Sequence, residues 1–191
     1  MGLTNVTCAE IRKYLPGTIL GLGYPDNIDH VDLKGSSLTC VDIIAHHGFE
    51  KVRDLSVPGV LQDLGQFDLV IDSGTTEHCA NICNAYINAA SAVKVGGHII
   101  HEVPINMPNH GYWNISPIWF FDFYEANKFV VERCDRTLSA PFDVSKVLPW
   151  PGGSATQQLN NVPEVCCTLC VARRTTAAPI TIPKCQDVWI K

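Results

Sequence analysis

Apolar residues fall along this chain in short runs that end in glycine or an acid. TILGLG from Thr18 closes on Gly21 and Gly23, the pattern of a buried strand feeding a tight turn. LTCVDI is β-branched and closes on Asp42, FEKVRDLS ends at Asp54, and FDLVIDSG ends at Asp72, Ser73 and Gly74. HIIHEVP supplies a fifth strand, stopped by Pro104. Between the fourth and fifth runs the period changes. In TTEHCANICNAYINAASAVKVGG, Ile82, Tyr86, Ala89 and Val93 recur at helical spacing, and Gly96-Gly97 is read as the helix stop.

The flanks are organised differently. Thr7 and Glu10 have capping-box spacing ahead of a short helix, AEIRKYL, which Pro16-Gly17 ends. After the loop INMPNHGYWNISP, Pro117 opens an aromatic helix, IWFFDFYEAN. KFVVERCDR and EVCCTLCVARR then read as two strands joined by a surface excursion, hence an antiparallel pair at a sheet edge. The division expected is a helical flank over 1–17, an α/β domain over 18–174 with an insertion at 139–163, and a weakly ordered tail over 175–191 in which only DVWI docks.

Strands separated by short links, then strand-helix-strand-helix and an antiparallel pair, describe an α/β sheet with its functional loops at the carboxyl ends of the parallel strands. Gly21 to Asp26, Asp42, Asp54 and Asp72 to His78 therefore fall along one rim.

Composition narrows the partners. At 191 residues the chain can bury a continuous core without metal or disulfide staples, and 46% hydrophobic with 17% charged residues is a soluble, globular balance. A net charge of -5, with no basic cluster beyond Ala172 to Arg174, argues against nucleic acid as a partner. No apolar run has a membrane span's length, and MGLTNVTCAEIRKYLPG lacks the features of a secretory signal, so a cytoplasmic protein is expected. The nine cysteines are an odd number and have no zinc-type spacing. They are read as reduced, buried side chains, and no metal site is expected.

The rim residues suit a nucleoside. Glycine after the first strand admits a ligand close to the backbone, and a carboxylate ending the second can grip both ribose hydroxyls. An acid ending the third strand accepts from an adenine amino group beside a donating backbone N–H; Asp42, Asp54 and Leu55 fit these positions. Over about residues 18–135 the order CVDI, HHGFEKVRDLS, FDLVIDSGTTEH, VKVGGHIIHEVP and NHGYWNISPIWFFDFYEANKF resembles class I S-adenosylmethionine-dependent methyltransferases. The resemblance implies a Rossmann-like, mostly parallel seven-stranded sheet with an antiparallel C-terminal strand pair, and S-adenosylmethionine as cofactor.

It also implies Gly21, Gly23, Asp42, Asp54 and Leu55 at the cofactor, with Asp72, Ser73, Gly74 and Thr75 facing its methionine end. The family's usual acid two residues before the first loop glycine is replaced by Gly21, and Asp26 is the substitute for contacts to the amino-acid part. The activity implied is methyl transfer to a small-molecule or glycan-like acceptor. A weakly acidic acceptor needs a base, for which His110 in the HGYW loop and His78 are candidates, with Tyr112 beside them. His101, alternating with apolar neighbours, reads as structural. Two rival readings are a non-catalytic relative with a binding or assembly role and a nicotinamide-dependent oxidoreductase; the latter lacks the third glycine of its fingerprint.

Overall fold

A computed structural model of the chain describes residues 2–139, 144–149 and 165–184. Its eight strands are β1 (Thr18–Leu22), β2 (Ser37–Asp42), β3 (Lys51–Val52), β4 (Phe67–Ser73), β5 (Val93–Asn106), β6 (Phe129–Ser139), β7 (Val144–Pro149) and β8 (Cys166–Arg174). They form one sheet in the order β3-β2-β1-β4-β5-β8-β6-β7. β1 to β5 pair in parallel, whereas β8 runs antiparallel between β5 and β6. The expected seven strands and reversed late strand are present. The eighth, β7, comes from the insertion and covers the edge that the β6/β8 pair was expected to form. The rest of the insertion and the DVWI segment lie outside the described residues.

Strand alternation divides the core between the two sheet faces. Leu20, Leu22, Val41, Val70, Ile99 and Cys170 point to one side, where α2 (Ile82–Ser91) and α3 (Pro117–Ala126) supply Tyr86, Phe120, Phe123 and Tyr124. Ile19, Leu69, Ile71, Ile100, Leu169 and Val171 point to the other, against Leu3, Cys8 and Ile11 of the N-terminal segment and its helix α1 (Asn5–Ile11), and against Ile28 and Val31 of the β1–β2 link. The aromatic helix is therefore packing for the sheet.

Several local expectations are corrected. Thr4, rather than Thr7, caps α1: its hydroxyl accepts from Thr7 N at 3.2 Å. The long helical pattern after β4 splits into a 3-10 turn (Thr76–His78) and α2, capped by Asn81, and Val93 already belongs to β5. Gly96 and Gly97 do not stop a helix. They lie in β5 at a register irregularity opposite Phe67 and Leu69, where a Cβ on Gly97 would come within 2.9 Å of Asp68 O. Pro104 does not end β5, because the strand continues to Asn106 with an irregularity in its pairing at that point. β3 is only two residues long, since the chain leaves the sheet edge once Arg53 N has donated to Asp42 O at 2.7 Å.

The tail expectation fails for residues 175–184. Asn127 Nδ2 donates to Thr181 O and Thr181 N donates to Asn127 Oδ1, both at 2.8 Å, while Ile180 and Ile182 pack on the core.

Candidate active site

At the carboxyl end of the parallel strands, Leu22 leads into Gly23, whose φ of 71° is left-handed backbone. Its N–H donates to Val41 O at 2.7 Å, tying this turn to β2. Thr75, from the turn after β4, donates its hydroxyl to Leu22 O at 2.6 Å, so three strand ends are drawn together. They border a cleft of about 390 Å³, inside the range usual for small-molecule sites.

The cleft brings together Gly23, Asp42, Asp54, Leu55, Gly74, Thr75, His78 and Tyr112 from the expected set, joined by Arg53 and Cys79. Among the described residues, the Asp42 carboxylate accepts only a long bond, 3.4 Å, from Ile44 N. Its lone pairs are thus available to a ligand. Asp54 Oδ1 accepts from Ser56 N at 2.8 Å and orders the next turn.

Five expected residues, Gly21, Asp26, Asp72, Ser73 and His110, do not line the cleft. Gly21 lies within β1, where a Cβ would be 3.1 Å from Pro25 Cδ and 3.3 Å from Cys40 Sγ. Asp26 is exposed, and its carbonyl accepts from Leu3 N at 2.8 Å, which fastens the N-terminal segment. Ser73 is buried, with its hydroxyl 3.4 Å from Gly2 O.

Asp72 is fully buried beneath the cleft. Its Oδ1 accepts from Thr75 N and Thr76 N at 3.2 and 3.1 Å, and Oδ2 accepts from the Thr76 hydroxyl at 2.6 Å while pairing with His101 Nδ1 at 2.7 Å. Burial pushes this carboxyl up, but the bonds from His101 and Thr76 outweigh it and hold it below the usual carboxylate range. His101 Nε2 meets the Tyr124 hydroxyl, so a fully internal chain links β4, β5 and α3. The His101 reading as structural holds, and Asp72 shapes the β4 turn from below.

The His110 loop is laid over this turn by main-chain bonds. Tyr112 N and Trp113 N donate to Glu77 O at 2.9 and 3.2 Å, and Trp113 Nε1 donates to Cys79 O at 2.9 Å. Gly111 permits the approach, because a Cβ there would lie 2.9 Å from both Glu77 Cγ and Glu77 O. His110 is consequently set beside His78, their ring centroids 5.0 Å apart, with His110 Nε2 3.3 Å from Glu77 Oε1.

Sequence reasoning missed Glu77. Burial, with the Asp72 charge behind it, pushes its carboxyl up to about 8. Burial also lowers His110, and burial followed by the neighbouring His110 lowers His78, which favours neutral imidazoles. Burial pushes the Cys79 thiol up to about 12, so this cleft cysteine stays protonated near neutrality. The only sequence signal for Glu77 was its place inside an expected helix turn, which gave no indication of burial.

No protein-family model and no curated protein matches the chain. Among solved structures it is similar to the Burkholderia thailandensis 1,6-didemethyltoxoflavin-N1-methyltransferase with bound 1,6-didemethyltoxoflavin and S-adenosylhomocysteine. That likeness is at 14% identity and TM-score 0.59, covering 90% of this chain and 78% of that one. It is also similar, at 16% identity and TM-score 0.52, to a protein solved in work on converting a disulfide bond into a thioacetal group during echinomycin biosynthesis, covering 91% and 82%. A third likeness is to an O-methyltransferase family protein from Burkholderia thailandensis, at 14% identity and TM-score 0.54; it covers 91% of this chain and 55% of that one. The chain has the fold of the class I S-adenosylmethionine-dependent methyltransferases.

Proposed function

We propose that this protein is an S-adenosylmethionine-dependent methyltransferase acting on a small-molecule or glycan-like acceptor. The observation that carries the reading is the Asp42 carboxylate at the end of β2, with lone pairs open to a cleft that Gly23, Asp54 and Leu55 also border. These residues fit an adenosyl ligand. Asp42 would hold the ribose hydroxyls, Asp54 and Leu55 the adenine edge, and Gly23 and Gly74 the approach of the amino-acid part. Gly21, Asp26, Asp72 and Ser73 would act only through the backbone they support. The neighbouring solved proteins, two of them methyltransferases and one bound to S-adenosylhomocysteine, favour the same reading.

When bound, S-adenosylmethionine supplies an electrophilic methyl group on a sulfonium. The protein's part is to hold the acceptor in line with it. His78 and Tyr112 form the cleft wall next to the β4 turn, and His110 stands behind His78. This edge would receive the acceptor and manage its proton.

Calorimetry of the full chain with S-adenosylhomocysteine and with NAD tests the proposal. Saturable binding of the former and none of the latter is expected. Asp42→Ala should weaken binding at least tenfold, since hydrogen bonds to a charged group contribute about 1.5–3 kcal/mol. NAD binding, or no heat with S-adenosylhomocysteine, would overturn it.

A further inference from the structure

Glu77 is an acidic side chain enclosed where, among the described residues, no hydrogen bond reaches its carboxyl group. Its side chain is 0% exposed, and neither carboxylate oxygen accepts a hydrogen bond. A buried carboxylate without partners costs several kcal/mol unless a proton or a cation neutralises it. Two imidazoles approach the same oxygen: His110 Nε2 lies 3.3 Å and His78 Nε2 3.8 Å from Glu77 Oε1. His110 Nε2 is buried, yet it is not aligned to donate to Glu77 or to any other group. A hydrogen-bonded Glu-His dyad would show that alignment.

One ligand atom from each of Glu77, His78 and His110 lies within 4.8 Å of the others. Bonds of about 2.0–2.1 Å in a tetrahedral shell separate neighbouring ligand atoms by roughly 3.3 Å, so small side-chain rotations bring these three onto one ion. Two imidazoles and one carboxylate suit a divalent first-row transition cation and leave coordination positions open.

We propose that Glu77, His78 and His110 form a binding site for a divalent transition-metal ion at the edge of the cleft. The site is held by main-chain bonds, since the Tyr112 and Trp113 amides fix the His110 loop to Glu77 O. Cys79, close by in the cleft wall, donates its thiol to Thr75 O at 3.7 Å and is not part of the set. Because His78 faces the cleft, an oxygen atom of a cleft ligand can take an open position on the ion. This last point rests on the methyltransferase reading and refines it: the imidazoles hold an ion that binds the acceptor oxygen, instead of taking its proton themselves.

Cobalt(II) titration of the reduced full chain provides the test. One equivalent should bind with the visible d–d absorption of nitrogen and oxygen ligands and without the near-ultraviolet sulfur-to-cobalt band. His78→Ala and His110→Ala, both at partly exposed side chains, should each raise the Kd at least tenfold with unchanged circular dichroism. No cobalt binding, a thiolate spectrum, or affinity unaltered in both variants would overturn the site and leave Glu77 a neutral buried carboxyl. S-adenosylhomocysteine calorimetry without cobalt, run on the same variants, separates the two proposals. Cobalt binding without nucleoside binding removes the methyltransferase reading alone, and the reverse removes the metal site alone.

Discussion

Gly23 shows how one residue sets the geometry of the cleft. It combines a φ of 71° with a Thr75 hydroxyl that a Cβ would meet at 2.6 Å. Gly23→Ala should therefore destabilise the fold by about 1–2 kcal/mol from the left-handed backbone alone, and further by pushing Thr75 off Leu22 O. Urea unfolding checks this, and Gly23→Ala with Thr75→Ala should recover the steric part but not the backbone part. Asp42 and Asp72 illustrate a second residue-scale point. Both are strand-end aspartates in sequence, yet one carboxylate is open to a cleft and the other is enclosed by Thr75, Thr76 and His101.

Among the elements, β1, β4 and β5 are joined at their amino ends by a single carboxylate. Asp68 accepts from Thr18 N at 2.8 Å and from the Thr18 hydroxyl at 2.7 Å, and pairs with Lys94 at 2.9 Å. The Thr18 hydrogen bonds first, then Lys94, hold its carboxyl at about 2, against 3.8 when unperturbed. A depressed acid stabilises the native state above its unfolded value, and that stability is lost as pH falls through the folded value. Wild-type thermal stability should accordingly drop between about pH 4 and pH 2. In Asp68→Asn this drop should be smaller, with a lower starting stability at pH 5. Melting temperatures across that range would check it. Because Asp68 is partly exposed, solvent screening keeps the effect modest.

The whole molecule is closed by contacts far apart in sequence. Arg174 at the end of β8 donates through Nη1 to Val93 O at 2.7 Å and through Nε to Thr176 O at 2.9 Å, fixing the start of the segment that leads to Asn127. The two Asn127–Thr181 bonds then fix the segment that carries Ile180 and Ile182. Asn127→Ala should cost about 1–3 kcal/mol for the two bonds to Thr181, and it also removes the bond from Nδ2 to Phe123 O. Hydrogen exchange at the Thr181 amide should accelerate, while amides of β1 and β4 keep their protection. Exchange at Thr181 equal to wild type would show that apolar packing alone holds the segment.

The sequence by itself determined the strand runs, their acidic or glycine ends, the aromatic helix after Pro117 and hence the α/β class, because burial on a sheet or helix imposes a period that local composition displays. It also determined that Gly23 and Asp42 fall at strand ends, with Asp54 and Leu55 shortly after the third strand. Only the tertiary structure decided which of those ends meet at the cleft, since Asp42 and Asp72 carry the same local signal and differ in what packs above them. It also decided that Val93 to Gly97 extend a strand, because a close approach to the Asp68 carbonyl selects glycine there as strongly as a helix end would. Glu77 and His110 come together through hydrogen bonds donated by backbone N–H groups of a distant loop to one carbonyl, and no periodicity along the chain records a contact of that kind.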